Sequence, residues 1–274
     1  MVSKPPVRRV ETATGHYYLD AQDKPIPGVT TILKALPKEA LQKWSLKKAV
    51  ALALEGESKW DWDGRGNVID YLITAGDREA YAAAAIGTKA HEFAEHHMLG
   101  LNPDIDALTK KERKHAECFL HFVRDYQPEP VLVEKVLTYI DPKTGQPLYC
   151  GTMDLIAKLY WNDDSDSSRL PNDWVDGQTW LIDYKASSSA ARSSHALQAS
   201  AYRYATHWIG DDGELHELPA VDHGAVVLLN GGDGNRCFRM YKLDTSPVVF
   251  SVFKSLLRIH HFMKVEDRII LGEM

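Results

Sequence analysis

The chain has 274 residues, of which 44% are hydrophobic and 26% charged, a balance that suits one large globular domain or a core with a helical extension. It contains no run of about 18 apolar residues and no apolar stretch near its start, so we expect neither a membrane-spanning helix nor a secretory signal. The net charge of −6 does not indicate a nucleic-acid-binding protein, although residues 1–50 carry +5 and the rest of the chain −11.

The cysteine pattern predicts a reduced, metal-free set of thiols. Cys118, Cys150 and Cys237 are scattered and form no C-x-x-C pair. This usage fits a reducing cytosol and predicts neither a zinc nor an iron–sulfur site built from cysteines. We expect a cytoplasmic protein in which these residues behave as small buried hydrophobic side chains.

The N-terminal part is predicted to be mainly helical. Residues 14–33, which read TGHYYLD, AQDK and PIPGVTTIL, predict a short β-hairpin that leads into a helical region. Helices are predicted over residues 39–55 and 77–99. Between them, residues 56–67 (GESKWDWDGRGN) are rich in Gly, Trp and Asp and predict a loop.

A capping box and then a change of hydrophobic period mark the rest of the chain. Thr109, with Glu112 three residues later, begins a helix that ends before Pro128. From residue 131 the pattern follows the period of strands, interrupted by an acidic loop at 162–178 and by a glycine turn, GGDGN. The predicted strands are 131–140, 148–161, 179–186, 223–230 and 237–244, and the predicted helices are 193–210 and one that opens at Ser246-Pro247.

The order of these elements predicts an α/β (α+β) protein. Residues 1–127 would form an N-terminal hairpin and a helical region, and residues 128–274 a compact β-β-β-α-β-β-α core. In that core we expect a central mixed β-sheet flanked by helices.

Two of the most hydrophobic predicted strands carry charged side chains. Asp154 lies within CGTMDLIAKLYW, and Asp183 and Lys185 lie within WLIDYKA. Because residues two apart in a strand point the same way, Asp183 and Lys185 share a face. Two carboxylates in an apolar sheet repel each other unless they share a proton or a divalent cation, and oxygen ligands suit Mg²⁺ or Mn²⁺. The alternative is a buried Asp–Lys ion pair with a purely structural role.

Glu134 is a further candidate ligand. It lies in the otherwise apolar strand VLVEKVL, which is expected to adjoin the strand of Asp154. Its carboxylate would bind the metal directly or through water. A glutamate on an edge strand that faces solvent explains the pattern equally well.

The helix GTKAHEFAEHH presents a possible ligand at helical spacing. Gly87, His91 and Glu95 are each four apart and therefore share one face. Gly87 would let the helix approach another backbone closely, His91 would reach a metal through a ring nitrogen, and Glu95 would hold a neighbouring group. A histidine in a helix is more often an ordinary surface or core residue.

The helix after the third strand supplies an amide and a phenol. Gln198 and Tyr202 are four apart in HALQASAYRYA and face the same way. Both side chains can bond phosphate oxygens or hold Lys185 in place. Packing of the tyrosine into the core is the alternative.

Candidate nucleic-acid contacts are less specific. Trp44, Lys47 and Lys48 on the basic helix would line a path for single-stranded DNA, where lysines meet phosphates and bases stack on the ring. Packing of Trp44 into the helical core, with solvated lysines, is equally plausible. Ser187 and Arg192, which follow the third strand, are further candidates.

In combination, these motifs resemble those of the PD-(D/E)XK nuclease superfamily, most closely its RecB-like exonuclease branch, which is common in phages and among CRISPR-associated and recombination nucleases. Gly87 and His91 match its GxxxH helix. The GTxD strand, the (D/E)xK strand and the QxxxY helix follow in the order of that branch, matched by Gly151, Thr152 and Asp154, by Asp183 and Lys185, and by Gln198 and Tyr202. Each motif alone is unspecific, but four in this order over residues 80–205 form a strong signal.

The resemblance implies a restriction-endonuclease-like core and a specific set of roles. Mg²⁺ or Mn²⁺ would be held by His91, Asp154, Asp183 and the Tyr184 carbonyl, while Lys185 assists the attacking water. The superfamily's proline is absent, since Met153 precedes Asp154, and the three cysteines cannot form the four-cysteine iron–sulfur site of some relatives.

The function implied is a metal-dependent deoxyribonuclease, in particular an exonuclease of phage or bacterial DNA recombination, repair or end processing. Its partner would be DNA that is single-stranded or has a free end, in the bacterial host cytoplasm if the gene belongs to a phage. A structure-selective endonuclease, an inactive nucleic-acid-binding module and a hydrolase of small phosphoesters are the alternatives. A homo-oligomer or a recombination partner protein would also fit, and no feature of the sequence demonstrates either.

Overall fold

The N-terminal segment forms a small sheet of its own. The computed structural model describes residues 6–12, 15–37, 39–56, 65–186, 192–229 and 237–270. Strands β1 (Val7–Thr12), β2 (Gly15–Asp20) and β3 (Pro25–Ile26) form a three-stranded antiparallel sheet. The pairing of β2 with β3 confirms the predicted hairpin, whereas β1 was not predicted.

Seven α-helices occur in the described residues. They are α1 (Val29–Ile32), α2 (Glu39–Gly56), α3 (Arg65–Ile73), α4 (Ala75–Met98), α5 (Lys110–Tyr126), α6 (Ser193–Arg203) and α7 (Pro247–Ile270). The capping box of α5 is confirmed, since Glu112 N donates to the Thr109 hydroxyl and Thr109 N to the Glu112 carboxylate at 2.8 Å. Of the predicted loop 56–67, residues 57–64 lie outside the described residues and 65–67 begin α3.

The main sheet contains seven strands within the described residues. They are β4 (Glu129–Ile140), β5 (Pro147–Lys158), β6 (Thr179–Lys185), β7 (His207–Ile209), β8 (Leu215–Glu217), β9 (His223–Leu229) and β10 (Phe238–Leu243). Their spatial order is β10-β9-β6-β5-β4-β7-β8. Only β6 and β9 pair in parallel among these strands, and α6 lies in the connection between them, so the sheet is mixed as predicted. The predicted glycine turn before β10 lies outside the described residues.

The predicted helix 193–210 is wrong beyond Arg203. Residues 207–209 form β7 instead, where Trp208 pairs with Leu137 and His207 with Thr138 of β4. An edge of β4 offers unpaired backbone groups at this point, and a strand satisfies them where a continued helix would not. This tertiary partner is invisible to local periodicity.

Helices cover both faces of the main sheet and bury two clusters. On one face, aromatic residues of α4 and α5, including Phe93 and Phe119, pack against strand residues such as Leu155. On the other face, residues of α6 and α7, including Phe253, pack in a cluster with strand residues such as Ile156. The division predicted at residue 127 runs through the first cluster, because α4 and α5 supply one layer of it. Within the described residues, no helix combines the length and the apolar character that a membrane span requires.

Candidate metal centre

Asp154 lies where β5 and β6 part from each other. The two strands pair as far as Leu155 and Ile182. Beyond this point the backbone amide of Tyr184 donates to Asp154 Oδ2 at 2.6 Å. The carboxylate therefore takes the place of a backbone acceptor, which fixes it at the point where the strands leave room for charged side chains.

Three elements bring metal-ligating side chains together at this point. His91 from α4, Glu134 from β4 and Asp154 from β5, here termed the ligand trio, each offer one ligand atom within 4.8 Å of the others. His91 Nδ1 lies 3.5 Å from Asp154 Oδ2. Glu134 is half-buried and lines a cleft, and its role as a ligand stays a prediction. Glu134 has a left-handed φ of 47°, a conformation that an L residue adopts at some cost.

The side chains of the ligand trio shift one another's pKa values. Burial and the Asp154 carboxylate raise the pKa of Glu134 to about 8. Burial opposes the charged form of His91, but the attraction of Asp154 outweighs it and raises the pKa of His91 to about 9. One imidazole nitrogen and two carboxylate oxygens form a donor set that fits Mn²⁺ or Mg²⁺.

Lys185 is held by Asp183, which is held in turn by α6. Lys185 Nζ lies 2.6 Å from Asp183 Oδ2, and Gln198 Nε2 donates to Asp183 Oδ1 at 3.0 Å. The same amide group lies 3.5 Å from the Tyr202 hydroxyl. Burial opposes the charged form of Lys185, but the carboxylates of Asp183 and Asp154 raise its pKa. Gln198 and Tyr202 thus hold Lys185 through Asp183, and the ligand roles of Asp183 and of the Tyr184 carbonyl stay predictions.

Gly151 is the residue whose lack of a side chain the site requires. A Cβ atom there would lie 2.4 Å from Tyr202 Cε1, and Tyr202 is only 3% exposed. At Gly87, by contrast, the nearest atom to a Cβ is that of Ala186 at 3.7 Å, an ordinary contact. Among the described residues, no backbone therefore approaches Gly87 as closely as predicted.

We expect Gly151→Ala to destabilise the protein by about 1–3 kcal/mol, because the buried tyrosine has to shift to admit the methyl group. Gly87→Ala is the matched control and should be neutral or stabilising, since alanine favours a helix over glycine. Urea unfolding of both variants measures the difference. Equal free energies of unfolding for the two variants would contradict the prediction, because they would show that Tyr202 moves aside at no cost.

Neutralising Glu134 should stabilise the protein in a pH-dependent way. Its carboxyl has a pKa near 8 in the folded chain against an ordinary value of 4.5, so the folded state binds its proton more tightly. The stabilisation from that proton is complete below pH 4.5 and is lost as the pH rises to 8, by up to about 1.4 kcal/mol per pH unit. Glutamine is neutral at every pH. The free energy of unfolding of Glu134→Gln, relative to that of the original protein, should therefore increase between pH 5 and 8 in EDTA.

Thermal unfolding in EDTA at pH 5 and pH 8 measures this gain. Glu129→Gln, which changes an exposed glutamate of the same strand, is the matched control and should show no such trend. A difference between Glu134→Gln and the original protein that does not change with pH would contradict the prediction.

The basic helix predicted to guide DNA lies away from the ligand trio. Trp44, Lys47 and Lys48 are not among the described residues that line the cleft. Lys48 pairs with Glu79 of α4 at 2.9 Å, and its Nζ lies 5.9 Å from the centroid of the Trp44 ring. Lys48 thus links α2 to α4, the half-buried Trp44 lies beside it on the same helix, and a DNA-binding role for the three residues stays a prediction.

Of the two candidates after β6, Arg192 lies at the start of α6. Arg192 precedes α6 as its N-cap residue, and its backbone amide donates to His195 Nδ1 at 3.2 Å. Ser187 lies outside the described residues. Neither position provides a contact that tests nucleic-acid binding.

The ligand trio and Lys185 open into one cleft of about 920 Å³. Its walls are α4, the strands that carry the trio, and the β1–β2 hairpin. The hairpin contributes Arg9, Glu11 and His16, which the sequence motifs did not identify. The sequence VRRVET at residues 7–12 does not alternate apolar and polar residues, so it gives no clear strand signal and does not show what the strand packs against.

Comparisons with known proteins assign no family to the chain. A scan against protein-family models finds no match, and a search of curated proteins finds none either. The function must therefore be inferred from the residues of the cleft and their geometry.

Proposed function

We propose that this protein is a divalent-metal-dependent deoxyribonuclease, specifically an exonuclease with the restriction-endonuclease-like core of the PD-(D/E)XK superfamily. The main support is the convergence of the ligand trio within 4.8 Å in a cleft that Lys185 also lines. The antiparallel run β4-β5-β6 followed by the parallel pair β6 and β9 is consistent with such a core.

The side chains of the cleft have two proposed roles, metal binding and positioning of the attacking water. His91, Glu134 and Asp154 would hold the ion, which when bound supplies Lewis-acid stabilisation of the charge that develops on the phosphate. Lys185, fixed by its 2.6 Å contact with Asp183, donates hydrogen bonds into the cleft, where it orients the attacking water. Gln198 has no direct contact with the cleft and acts by positioning Asp183.

Digestion of end-labelled DNA in Mg²⁺, Mn²⁺ or EDTA tests this function. We expect metal-dependent release of nucleotides from linear DNA and none in EDTA. Closed circular DNA and linear DNA with blocked ends should be spared if the enzyme requires a free end. Cleavage of closed circles at a comparable rate would reject the exonuclease in favour of an endonuclease.

An absence of metal-dependent cleavage of any DNA would overturn the proposal. Asp154→Asn protein purified in parallel controls for contaminating nucleases, because it should be inactive on every substrate. An RNA oligonucleotide and a chromogenic phosphodiester, assayed beside the DNA, separate a deoxyribonuclease from a ribonuclease and from a hydrolase of small phosphoesters.

A further inference from the structure

The β1–β2 hairpin forms the wall of the cleft beside the ligand trio. The hairpin packs on β5, since the buried Val7 and Tyr18 lie in one cluster with Cys150, and just after β3 the Pro27 carbonyl accepts from Cys150 N at 3.1 Å. Residues two apart in β1 share a face, so Arg9 and Glu11 lie on the side of Val7, towards β5. Arg8 lies on the opposite side and pairs with Asp23.

A chain of hydrogen bonds fixes Arg9 next to the metal centre. Arg9 Nη1 donates to the Thr152 hydroxyl at 3.2 Å, and Thr152 is two residues before Asp154 in the same strand. The Tyr18 hydroxyl, from the residue paired with Arg9, bonds the same Thr152 oxygen at 2.9 Å and His16 Nε2 at 3.0 Å. Arg9 is therefore held through Nη1 on Thr152 and through Nε, which lies beside the Glu11 carboxylate of its own strand.

Acidic side chains predominate among the described charged residues that line the cleft, and Arg9 is an exception. Among the described residues that line it, five are acidic, namely Glu11, Glu92, Glu95, Glu134 and Asp154, whereas Arg9 and Lys185 are the two with a permanent positive charge. Lys185 is already paired with Asp183 at 2.6 Å. Apart from the catalytic lysine and the metal, Arg9 is thus the positive group that a polyanion would contact in this acidic cleft.

Arg9 has capacity to bind such an anion. Its Nε lies 2.7 Å from Glu11 Oε1, but that carboxylate is 67% exposed, and an exposed ion pair of this kind contributes little and can be exchanged. A guanidinium group binds phosphate through two parallel hydrogen bonds. The facing wall of α4 offers only small side chains at Ala80, Ala84 and Gly87, which leaves room for a sugar–phosphate backbone.

We infer that Arg9 binds a phosphodiester group of the DNA strand next to the bond that is cut. This inference rests on the proposed function and adds a substrate-binding residue to it, on an element that precedes the core. The hairpin then serves as a phosphate-binding wall that aligns the strand with the ligand trio and Lys185.

Steady-state kinetics of Arg9→Gln on single-stranded DNA, with Arg8→Gln as the matched control, test the inference. We expect Arg9→Gln to raise KM roughly 10- to 100-fold with a small change in kcat, because a ground-state contact to a charged group is lost. The slope of log(kcat/KM) against log salt concentration should also fall by about 0.7, the loss of one phosphate contact on a single strand. Arg8→Gln should change neither quantity.

Arg9→Lys separates phosphate binding from a structural role. It keeps the charge and loses the planar fork, so the salt dependence should return while KM stays partly raised. If Arg9→Gln and Arg9→Lys retain the KM and salt slope of the original protein, the inference is wrong while the nuclease stands. If the original protein cleaves no DNA, the proposed function itself fails.

Discussion

Asp154→Asn is expected to abolish metal-dependent cleavage and the stabilisation of the protein by metal. The carboxylate is the member of the ligand trio that contacts both His91 Nδ1, at 3.5 Å, and the Tyr184 amide, at 2.6 Å. Asparagine keeps the size and an acceptor for the amide but removes the negative charge. A bound metal contributes several kcal/mol to the transition state of phosphodiester hydrolysis, so we expect a loss of roughly 10³-fold or more in rate.

Two measurements check this expectation. Single-turnover cleavage gives the rate, and thermal unfolding with increasing Mn²⁺ gives metal binding, because a ligand that binds only the folded state raises its stability. Asp173→Asn, which removes a surface carboxylate paired with Lys242, is the matched control and should retain both responses. Metal-dependent cleavage and stabilisation that survive in Asp154→Asn would reject the ligand trio as the metal centre.

The strands that carry Asp154, Asp183 and Lys185 were predictable because their signals are local. Charged residues inside apolar strands, at Asp154 and at Asp183 with Lys185, indicated a site before any partner was known, since an unpaired buried charge is costly. The capping box at Thr109 is likewise complete within four residues. In such cases the energetic reason for the residue lies in its immediate neighbours in the chain.

Features that depend on distant partners were not predictable. Strand β7 forms because it pairs with an edge of β4, which lies about 70 residues earlier in the chain, whereas the local pattern around β7 predicted a helix. Glu134 and His91 were expected as ligands beside Asp154, but their approach to within 4.8 Å depends on the register of β4 against β5 and on the packing of α4, which no periodicity encodes. The position of Arg9 in the cleft was not predictable for the same reason, since it depends on a hydrogen bond to Thr152, 143 residues away.

The second large effect is expected for Lys185→Met, which should stop cleavage while metal binding persists. Methionine preserves much of the aliphatic length but cannot donate to water or phosphate. Loss of a positioned group of this kind costs about 10²–10⁴-fold in rate. The ligand trio does not include Lys185, so the stabilisation by Mn²⁺ should remain, in contrast to Asp154→Asn.

Removal of the lysine leaves Asp183 without its ion-pair partner, so the stability of the variant has to be measured beside its activity. The carboxylate keeps its hydrogen bond from Gln198 at 3.0 Å but is buried, so we expect some loss of stability that thermal unfolding will show. Lys158→Met, on the exposed end of β5, is the matched control and should leave the rate unchanged. If a folded Lys185→Met protein that still binds Mn²⁺ cleaves DNA at the original rate, the lysine has no part in catalysis, and the carboxylate that holds it is retained for structure alone.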